Sequence, residues 1–457
     1  MLTAINPATG DIVTEVPCDD ASQIEAKLEA AENAFKLWRT MSYAARGDIL
    51  KAVAKNLRDR MSEMAPIMTV EMGKPIKESR GEVEKAAWCA EHYAEHAESY
   101  LAKRVLASDA SKSYVQHLPL GVVLGILPWN APIWLALRFA APALMAGNTC
   151  LMKHDPHVPG TSLLIASAFK AAGAPDGVFD SLFLQTPAVE PVIRDNRIKA
   201  VSFTGSSKGG AAVAAIAGSE IKPVVLELGG SDPSIVLNDG DLEKAADTLT
   251  LSRIINAGQS CIAAKRIIVE KPVYAEMCDL MLKRLSKLKV GDPSLETTDV
   301  GPIAREDLRN TLHRQVTASV DEGATLALGG SLPDGAGFFY PVTLLTDVKP
   351  GMSAYCQETF GPVGAIICAD DLDHAMYLAN DTDYGLAASI WTHPDRGEML
   401  AKDIEAGQVS INGIVKTDPR LPSGGVKKSG LGRELGPHGI HEFVNTQQIW
   451  IGPAKPA

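Results

Sequence analysis

The sequence predicts an α/β chain of two lobes, each built on a mostly parallel sheet, with a small extra β element. Three observations carry that prediction. The opening is rich in helical pattern, short apolar runs alternate with helical stretches from Gly121 onward, and a second such series follows Ile235. Ser22 with Glu25 fits a capping box, and Ile24, Leu28, Ala31, Phe35 and Trp38 recur at three- and four-residue steps, so an amphipathic helix starts there. Helical pattern continues to about Ala102 and is clearest over 46–58 and 81–100. The runs 121–127, 149–153, 177–184, 200–203 and 224–228 then alternate with helical stretches over 133–145, 161–172 and 208–217. Such spacing predicts right-handed crossovers and a Rossmann-like, dinucleotide-binding arrangement, although a fold alone leaves function open.

The second series runs from Ile235 through Ile268 and Ile367 to Val409, with helices over 241–256 and 274–288, and a cleft is expected between the lobes. Segments 112–118 (KSYVQHL) and 442–451 (EFVNTQQIWI) fit neither lobe. They alternate polar with apolar residues and want a partner edge, either on another subunit or in an intramolecular hairpin.

Composition excludes several classes. With 44 Lys and Arg against 55 Asp and Glu, the 457-residue chain carries a net charge of −11, which disfavours nucleic acid or an anionic membrane as partner. The most apolar stretch, 121–147, holds Arg138 and is broken by Pro128, Asn130, Pro132 and Pro142, so it reads as a strand, a turn and a buried helix rather than a membrane span. Residues 1–17 lack a basic start and an apolar core, and no secretory signal is expected. The seven cysteines form no CxxC pair, and no histidine cluster has metal-ligand spacing. Free thiols in a reducing, cytoplasmic compartment and no metal site are therefore expected.

Four places offer chemistry. Cys261 follows the small-residue turn Asn256-Ala257-Gly258-Gln259-Ser260, which permits close backbone approach and leaves an N–H beside the sulfur. Glu227, in Glu227-Leu228-Gly229-Gly230, closes a strand at the end where crevices of parallel sheets lie, a place for a general base. Phe203-Thr204-Gly205-Ser206 ends a strand and opens a helix whose N–H groups suit a pyrophosphate. Asn130, in Pro128-Trp129-Asn130-Ala131-Pro132, has an amide able to donate to an oxyanion. Taken singly, each is weak: Cys261 reads as a buried filler thiol, Glu227 as a helix-capping or salt-bridged glutamate and Asn130 as turn chemistry, and the run 203–206 is not GxGxxG.

Together, PWNAP, FTGS, ELGG, NAGQSC, ETFGPV and GGVKKSGLGRE, in that order along essentially the whole chain, resemble the aldehyde dehydrogenase superfamily. The resemblance implies an aldehyde dehydrogenase-like α/β fold. It would have a Rossmann-like cofactor domain (1–104 and 120–228), a catalytic domain (229–430) and a small β oligomerisation element (105–119 and 431–457), forming a homodimer or homotetramer. It also implies roles by position. Cys261 is then the nucleophile, Glu227 the base, and Asn130 with the Cys261 N–H the oxyanion hole. Lys153, Gly205, Ser206, Glu358 and Phe360 hold the nicotinamide cofactor, with Trp129 and Leu228 beside it.

Arg138 lies eight residues after Asn130 in an otherwise uncharged stretch, where an arginine must be paired or functional. In the family this position lines the substrate tunnel, and succinic semialdehyde dehydrogenases carry arginine there for the distal carboxylate; the alternative is an ion pair with a protein carboxylate. The tail RELGPHGIHEFVN is similar to that of the short bacterial-type succinic semialdehyde dehydrogenases. Two departures leave glutarate semialdehyde or an aliphatic aldehyde open as substrate. Ile255 replaces an arginine of long-chain members, the nearest being Arg253, and Ser423 replaces a common phenylalanine. Pro156 stands where the family's ribose-binding glutamate would be, which relieves repulsion of a 2′-phosphate, with Lys153 able to pair with it. NADP as well as NAD is therefore an expected cofactor, unless Asp155 points inward. A cysteine thioesterase or hydrolase is the alternative from another class; no histidine lies near Cys261 or Glu227 in sequence.

Overall fold

Alternation of side chains along the strands decides how the first lobe is built. Val123, Cys150, Met152, Ala200 and Val225 share one core with helices Tyr43–Asp59, Ile76–Tyr100 and Pro132–Met145. Val122, Leu124, Leu151, Val201 and Leu226 share the opposite core with helices Ala21–Trp38 and Ser207–Ser219. In this computed structural model, which describes residues 1–452, five parallel strands stand in the order Val224–Glu227, Ile198–Thr204, Val122–Leu127, Thr149–His154, Phe179–Ser181. Gly430–Leu431 adds a short antiparallel edge beside Val224–Glu227. The order reverses between 122–127 and 198–204, where a parallel sheet opens a crevice beyond its strands' C-terminal ends.

The second sheet runs Thr325–Leu328, Thr343–Thr346, Val363–Ala369, Arg266–Glu270, Pro233–Val236, Ala387–Trp391, Gln408–Ile411, parallel throughout except for the first pair. Residues 228–232 alone link Glu227, at the C-terminal end of the first sheet, to Pro233, at the N-terminal end of the second. Arg266 fastens that link: its Nε donates to the Ser231 carbonyl at 2.9 Å and its two Nη atoms donate to the carbonyls of Leu378 and Ala379.

The two segments assigned to neither lobe pair with each other. Lys112–Pro119 lies antiparallel to Val444–Ile451, Val444 opposite Pro119 and Ile451 opposite Lys112, and Arg104–Val105 completes a third sheet. The pairing is intramolecular but long-range, not a hairpin. Residues 453–457, the end of the segment 431–457, lie outside the described residues.

Element ends differ from the sequence expectation for local reasons. The first helix is capped by Asp20, which accepts from Gln23 N–H at 2.9 Å while Gln23 Oε1 accepts from Asp20 N–H at 2.9 Å. The capping box is thus Asp20–Gln23 and not Ser22–Glu25; Ser22 donates to Asp20, and Glu25 turns to Arg197. A carboxylate two residues earlier is the better acceptor for the free N–H groups. The run 177–184 shortens to Phe179–Ser181. Helix Met61–Met72, with Pro66 inside it, and helix Glu306–Asp321 were not singled out by pattern. All seven cysteines are free. Among the described residues, no helix is long and apolar enough to cross a membrane, and no group of three His, Cys, Asp or Glu side chains is placed to hold a metal.

Fully buried Asn148 joins three parts of the first lobe. Its Oδ1 accepts from the N–H of Leu120 (2.8 Å) and Gly121 (3.1 Å), and its Nδ2 donates to the carbonyls of Ala143 (3.1 Å) and Phe443 (2.9 Å). Asn148→Ala strands two donors and two acceptors, and urea unfolding should show a loss of about 2–4 kcal/mol.

Candidate active site

The loop before Cys261 starts where helix Leu242–Ile254 is forced to stop. Asn256 and Ala257 both take left-handed backbone (φ 55° and 53°), a costly conformation for two successive side-chain-bearing residues that the surroundings must hold in place. Glu78, on helix Ile76–Tyr100, accepts from the Asn256 N–H at 2.7 Å. Asn256 Nδ2 donates to the carbonyl of Asn130 at 2.7 Å, and Asn130 Nδ2 donates to the carbonyl of Gln259 at 3.1 Å. Arg253, fully buried, donates to the Gly258 carbonyl at 2.7 Å and so acts on this loop, not on a ligand. Gly258 must be glycine: at φ +73° a Cβ would sit 2.2 Å from the Gly361 carbonyl oxygen. The loop thereby brings Asn130 and half-buried Cys261 together.

Lys265 ties the motifs to one another. Its buried ammonium donates to the Cys261 carbonyl and pairs with Glu358 Oε1 at 3.2 Å; the same carboxylate oxygen accepts from Gly230 N–H at 3.2 Å. The two glycines after Leu228 make room for this. A Cβ on Gly229 would lie 2.3 Å from Glu358 Oε2, and one on Gly230 would lie 3.1 Å from the Cys261 oxygen. Burial pushes the Cys261 thiol up to about 11, while Lys265 and Arg138 pull it back, so the resting group is a thiol that needs a base.

Glu227 closes its strand with only 4% of its surface exposed, and its Oε1 has no hydrogen-bond partner. Burial drives its carboxyl well above the usual carboxylate range; Arg138, with Nη2 3.9 Å from Oε2, opposes that and Glu434 reinforces it. Arg138 itself forms an ion pair with Glu434 and donates to Thr204 Oγ1 at 3.3 Å. The arginine expected to await a substrate carboxylate therefore has protein carboxylates on hand, the ion-pair arrangement. A guanidinium this deeply buried is costly unless paired. Ser423 positions Glu434 through reciprocal backbone hydrogen bonds of 2.7 and 2.8 Å, and Ser202 donates to its side chain at 3.1 Å.

A second group of residues forms a cradle around the switch point of the first sheet. Ser206 caps helix Ser207–Ser219, accepting from Gly209 N–H at 3.2 Å. The Phe203 ring fills the space in which Cβ atoms of Gly205 and Gly209 would stand, 2.7 and 2.8 Å away. Leu228 packs on Gly210, and the Trp129 and Phe360 rings meet edge-on at 5.9 Å. Lys153 ends the neighbouring strand; its buried ammonium has no hydrogen bond or ion pair among the described residues, and burial lowers its pKa. Asp155 does not occupy it. That carboxylate accepts from His157 N–H at 3.0 Å and pairs with His157 Nδ1 at 2.6 Å, beside half-buried Pro156. An unpaired cation, a helix N-terminus and glycine backbone in one crevice fit a phosphate-bearing dinucleotide.

Lys265, Glu78, Gln259 and Glu434 escaped the sequence reading as site residues. Of these, Gln259 and Glu434 carried a signal, the first inside NAGQSC and the second as the last residue of the GGVKKSGLGRE motif. Glu78→Ala leaves the left-handed Asn256 N–H buried without its acceptor. It should destabilise the chain by about 2–3 kcal/mol in denaturant and speed amide exchange at 256–258, whereas Glu78→Gln keeps an acceptor and should recover most of both.

Residues 1–449 match the model of the aldehyde dehydrogenase family. A Synechocystis protein described as a probable NADP(+) succinate-semialdehyde dehydrogenase is 47% identical, covering 98% of this chain and 99% of its own length. An Escherichia coli NAD(P)+ succinate semialdehyde dehydrogenase is 45% identical over 98% of this chain and 97% of its own. The crystal structure of succinic semialdehyde dehydrogenase from Streptococcus pyogenes in complex with NADP+ superposes with a TM-score of 0.97 at 34% identity, covering 99% of this chain and 100% of that one. With its motifs gathered around one crevice and the family model matched over nearly its full length, this chain belongs to the aldehyde dehydrogenase family.

Proposed function

We propose that the protein oxidises succinic semialdehyde to succinate, with reduction of NADP or NAD. One observation supports this reading: the Cys261 thiol lies within electrostatic reach of the Glu227 carboxylate with its unpartnered oxygen, and the Asn130 amide is bonded to the loop that leads into Cys261. The relatives at 45–47% identity supply the substrate class.

Cys261, once deprotonated, attacks the aldehyde carbon and forms a tetrahedral thiohemiacetal. Its oxyanion takes hydrogen bonds from the Cys261 N–H and from the Asn130 amide, which keeps a second N–H beyond the one given to Gln259. Bound oxidised nicotinamide supplies the hydride acceptor that no side chain can be. Lys153, Gly205, Ser206, Glu358 and Phe360 would hold it, with Trp129 and Leu228 alongside; Pro156 in place of a carboxylate, and Asp155 engaged by His157, leave Lys153 for a 2′-phosphate. Glu227 then takes a proton from water, the hydroxide attacks the Cys261 thioester, and the thiolate leaves as succinate forms. Glu227 starts with the raised pKa such a base needs near neutrality.

In this scheme residues 1–104 and 120–228 bind cofactor, 229–430 carry catalysis, and 105–119 with 431–457 pair subunits in a homodimer or homotetramer. Exposed Val105, Leu106, Trp450 and Ile451 on or beside the third sheet support that pairing. Seven free cysteines support a reducing, cytoplasmic setting.

Mixing the protein with succinic semialdehyde and either NADP or NAD should produce reduced nicotinamide, read at its near-ultraviolet absorbance. Cys261→Ala should abolish this while cofactor binding persists; full activity in that variant would overturn the nucleophile assignment. Glu227→Gln should give one rapid burst of reduced cofactor and then turnover lower by about 10²–10⁴-fold. Because protonation disables the base and its pKa is raised, wild-type deacylation should rise with pH through and above neutrality, and the Gln variant should lose that rise.

A further inference from the structure

Lys85, on helix Ile76–Tyr100, is a largely buried cation to which the chain offers no carboxylate. Its ammonium donates to Thr417 Oγ1 at 2.6 Å and lies over the Trp134 ring, 4.2 Å from the centroid. Among the described residues it joins no ion pair, although buried charges are normally paired. The charged and titratable groups facing it are Glu82 and Cys89 on its own helix, Arg138 on helix Pro132–Met145, and Asp418 beside Thr417. Both carboxylates are already engaged. Glu82 pairs with Lys74 and accepts from the N–H groups of Ile133 (2.9 Å) and Trp134 (3.1 Å), and Asp418 forms a two-pronged pair with Arg420. Arg138 is likewise satisfied by Glu434.

Position points the same way. Asn130, Trp134 and Arg138 follow one another at four-residue steps; the last two share a face of the helix that begins just after Asn130, and Lys85 sits on that face. Arg138 in turn lies within electrostatic reach of Cys261 as well as of Lys85. Lys85, with the Thr417 hydroxyl bonded to it, is thus a cation against the helix whose Arg138 lies within electrostatic reach of Cys261. Lys85 keeps partial exposure, as a residue open to a ligand would. The aromatic face holds the ammonium without neutralising it.

We propose that Lys85, together with the Thr417 hydroxyl, receives the distal carboxylate of the substrate and sets the preference for an ω-carboxylated aldehyde. This rests on the succinic semialdehyde reading above and gives that substrate's charge its partner, the role expected of Arg138 from the sequence. Burial, then Arg138, pulls the Lys85 pKa down to about 8, so the charge that would recognise the carboxylate is lost as pH rises through that value.

The test compares succinic semialdehyde with butyraldehyde, which has the same chain length and no carboxylate, by initial rates of NADP reduction on the full chain. Lys85→Met keeps the aliphatic stem over Trp134 and removes the charge. It should raise KM for succinic semialdehyde about 10- to 100-fold, leave butyraldehyde within about two-fold, and be largely rescued by Lys85→Arg. In the wild type, KM for succinic semialdehyde should climb above about pH 8 while that for butyraldehyde does not, and Lys85→Met should erase the difference. Lys85→Gln, with its melting temperature checked, serves if the methionine variant fails to fold. Equal losses for both aldehydes, or an undiminished preference for the semialdehyde, would overturn the Lys85 assignment alone. A wild type that oxidises butyraldehyde as readily as succinic semialdehyde would overturn the substrate reading, and this proposal with it.

Discussion

The buried ammonium of Lys265 holds the reactive centre together. Through the Cys261 carbonyl it fixes the loop that carries this thiol, and through Glu358 it reaches the Gly230 backbone just beyond Glu227. Desolvating a lysine and a glutamate costs several kcal/mol, which is offset only because both find additional hydrogen bonds in fixed positions. Removal of either partner would leave a bare charge in the protein interior. The glycines at 229 and 230 suit this arrangement, since a Cβ at 229 would displace the Glu358 carboxylate and one at 230 would crowd Asp232 and the Cys261 oxygen.

Around that centre, two helix-borne carboxylates act as brackets on the segments that carry Cys261 and Asn130. Glu78 holds the strained Asn256 that precedes Cys261, and Glu82, one turn later on the same helix, caps the start of the helix that follows Asn130. One rigid helix therefore sets both donors, which a preorganised site requires. The electrostatics are arranged so that the Cys261 thiol and the Glu227 carboxyl are both pushed toward their neutral forms by burial. A neutral pair avoids placing two anions side by side in a dry crevice.

Much of this was legible before any coordinates, and what was not has a physical cause. Strand and helix periods placed both sheets, because alternation and the 3.6-residue repeat are local properties of the chain. The first helix cap was misplaced by two residues because Asp20 outcompetes Ser22 for the same N–H groups, a competition that composition does not rank. The motifs point to Cys261, Glu227 and Asn130. They do not point to the contacts that support these residues, because Glu78 meets residue 256 and Arg138 meets residue 434 across distances that no local pattern encodes. Arg138 shows the limit most plainly: its charge was rightly suspected of being paired or functional, but its partner's identity depended on the fold.

Residues 430–451 complete both the third sheet and the surroundings of Glu227. Val444–Ile451 pairs with Lys112–Pro119, Gly430–Leu431 edges the strand that ends in Glu227, and Glu434 is the counterion of Arg138. During synthesis at about 5–20 residues per second, the ribosome needs about 15–60 s to travel from residue 138 to residue 434. For that interval the nascent first lobe carries an unmatched guanidinium and an open strand edge. Late-emerging residues thus complete a lobe whose sheet was laid down long before them.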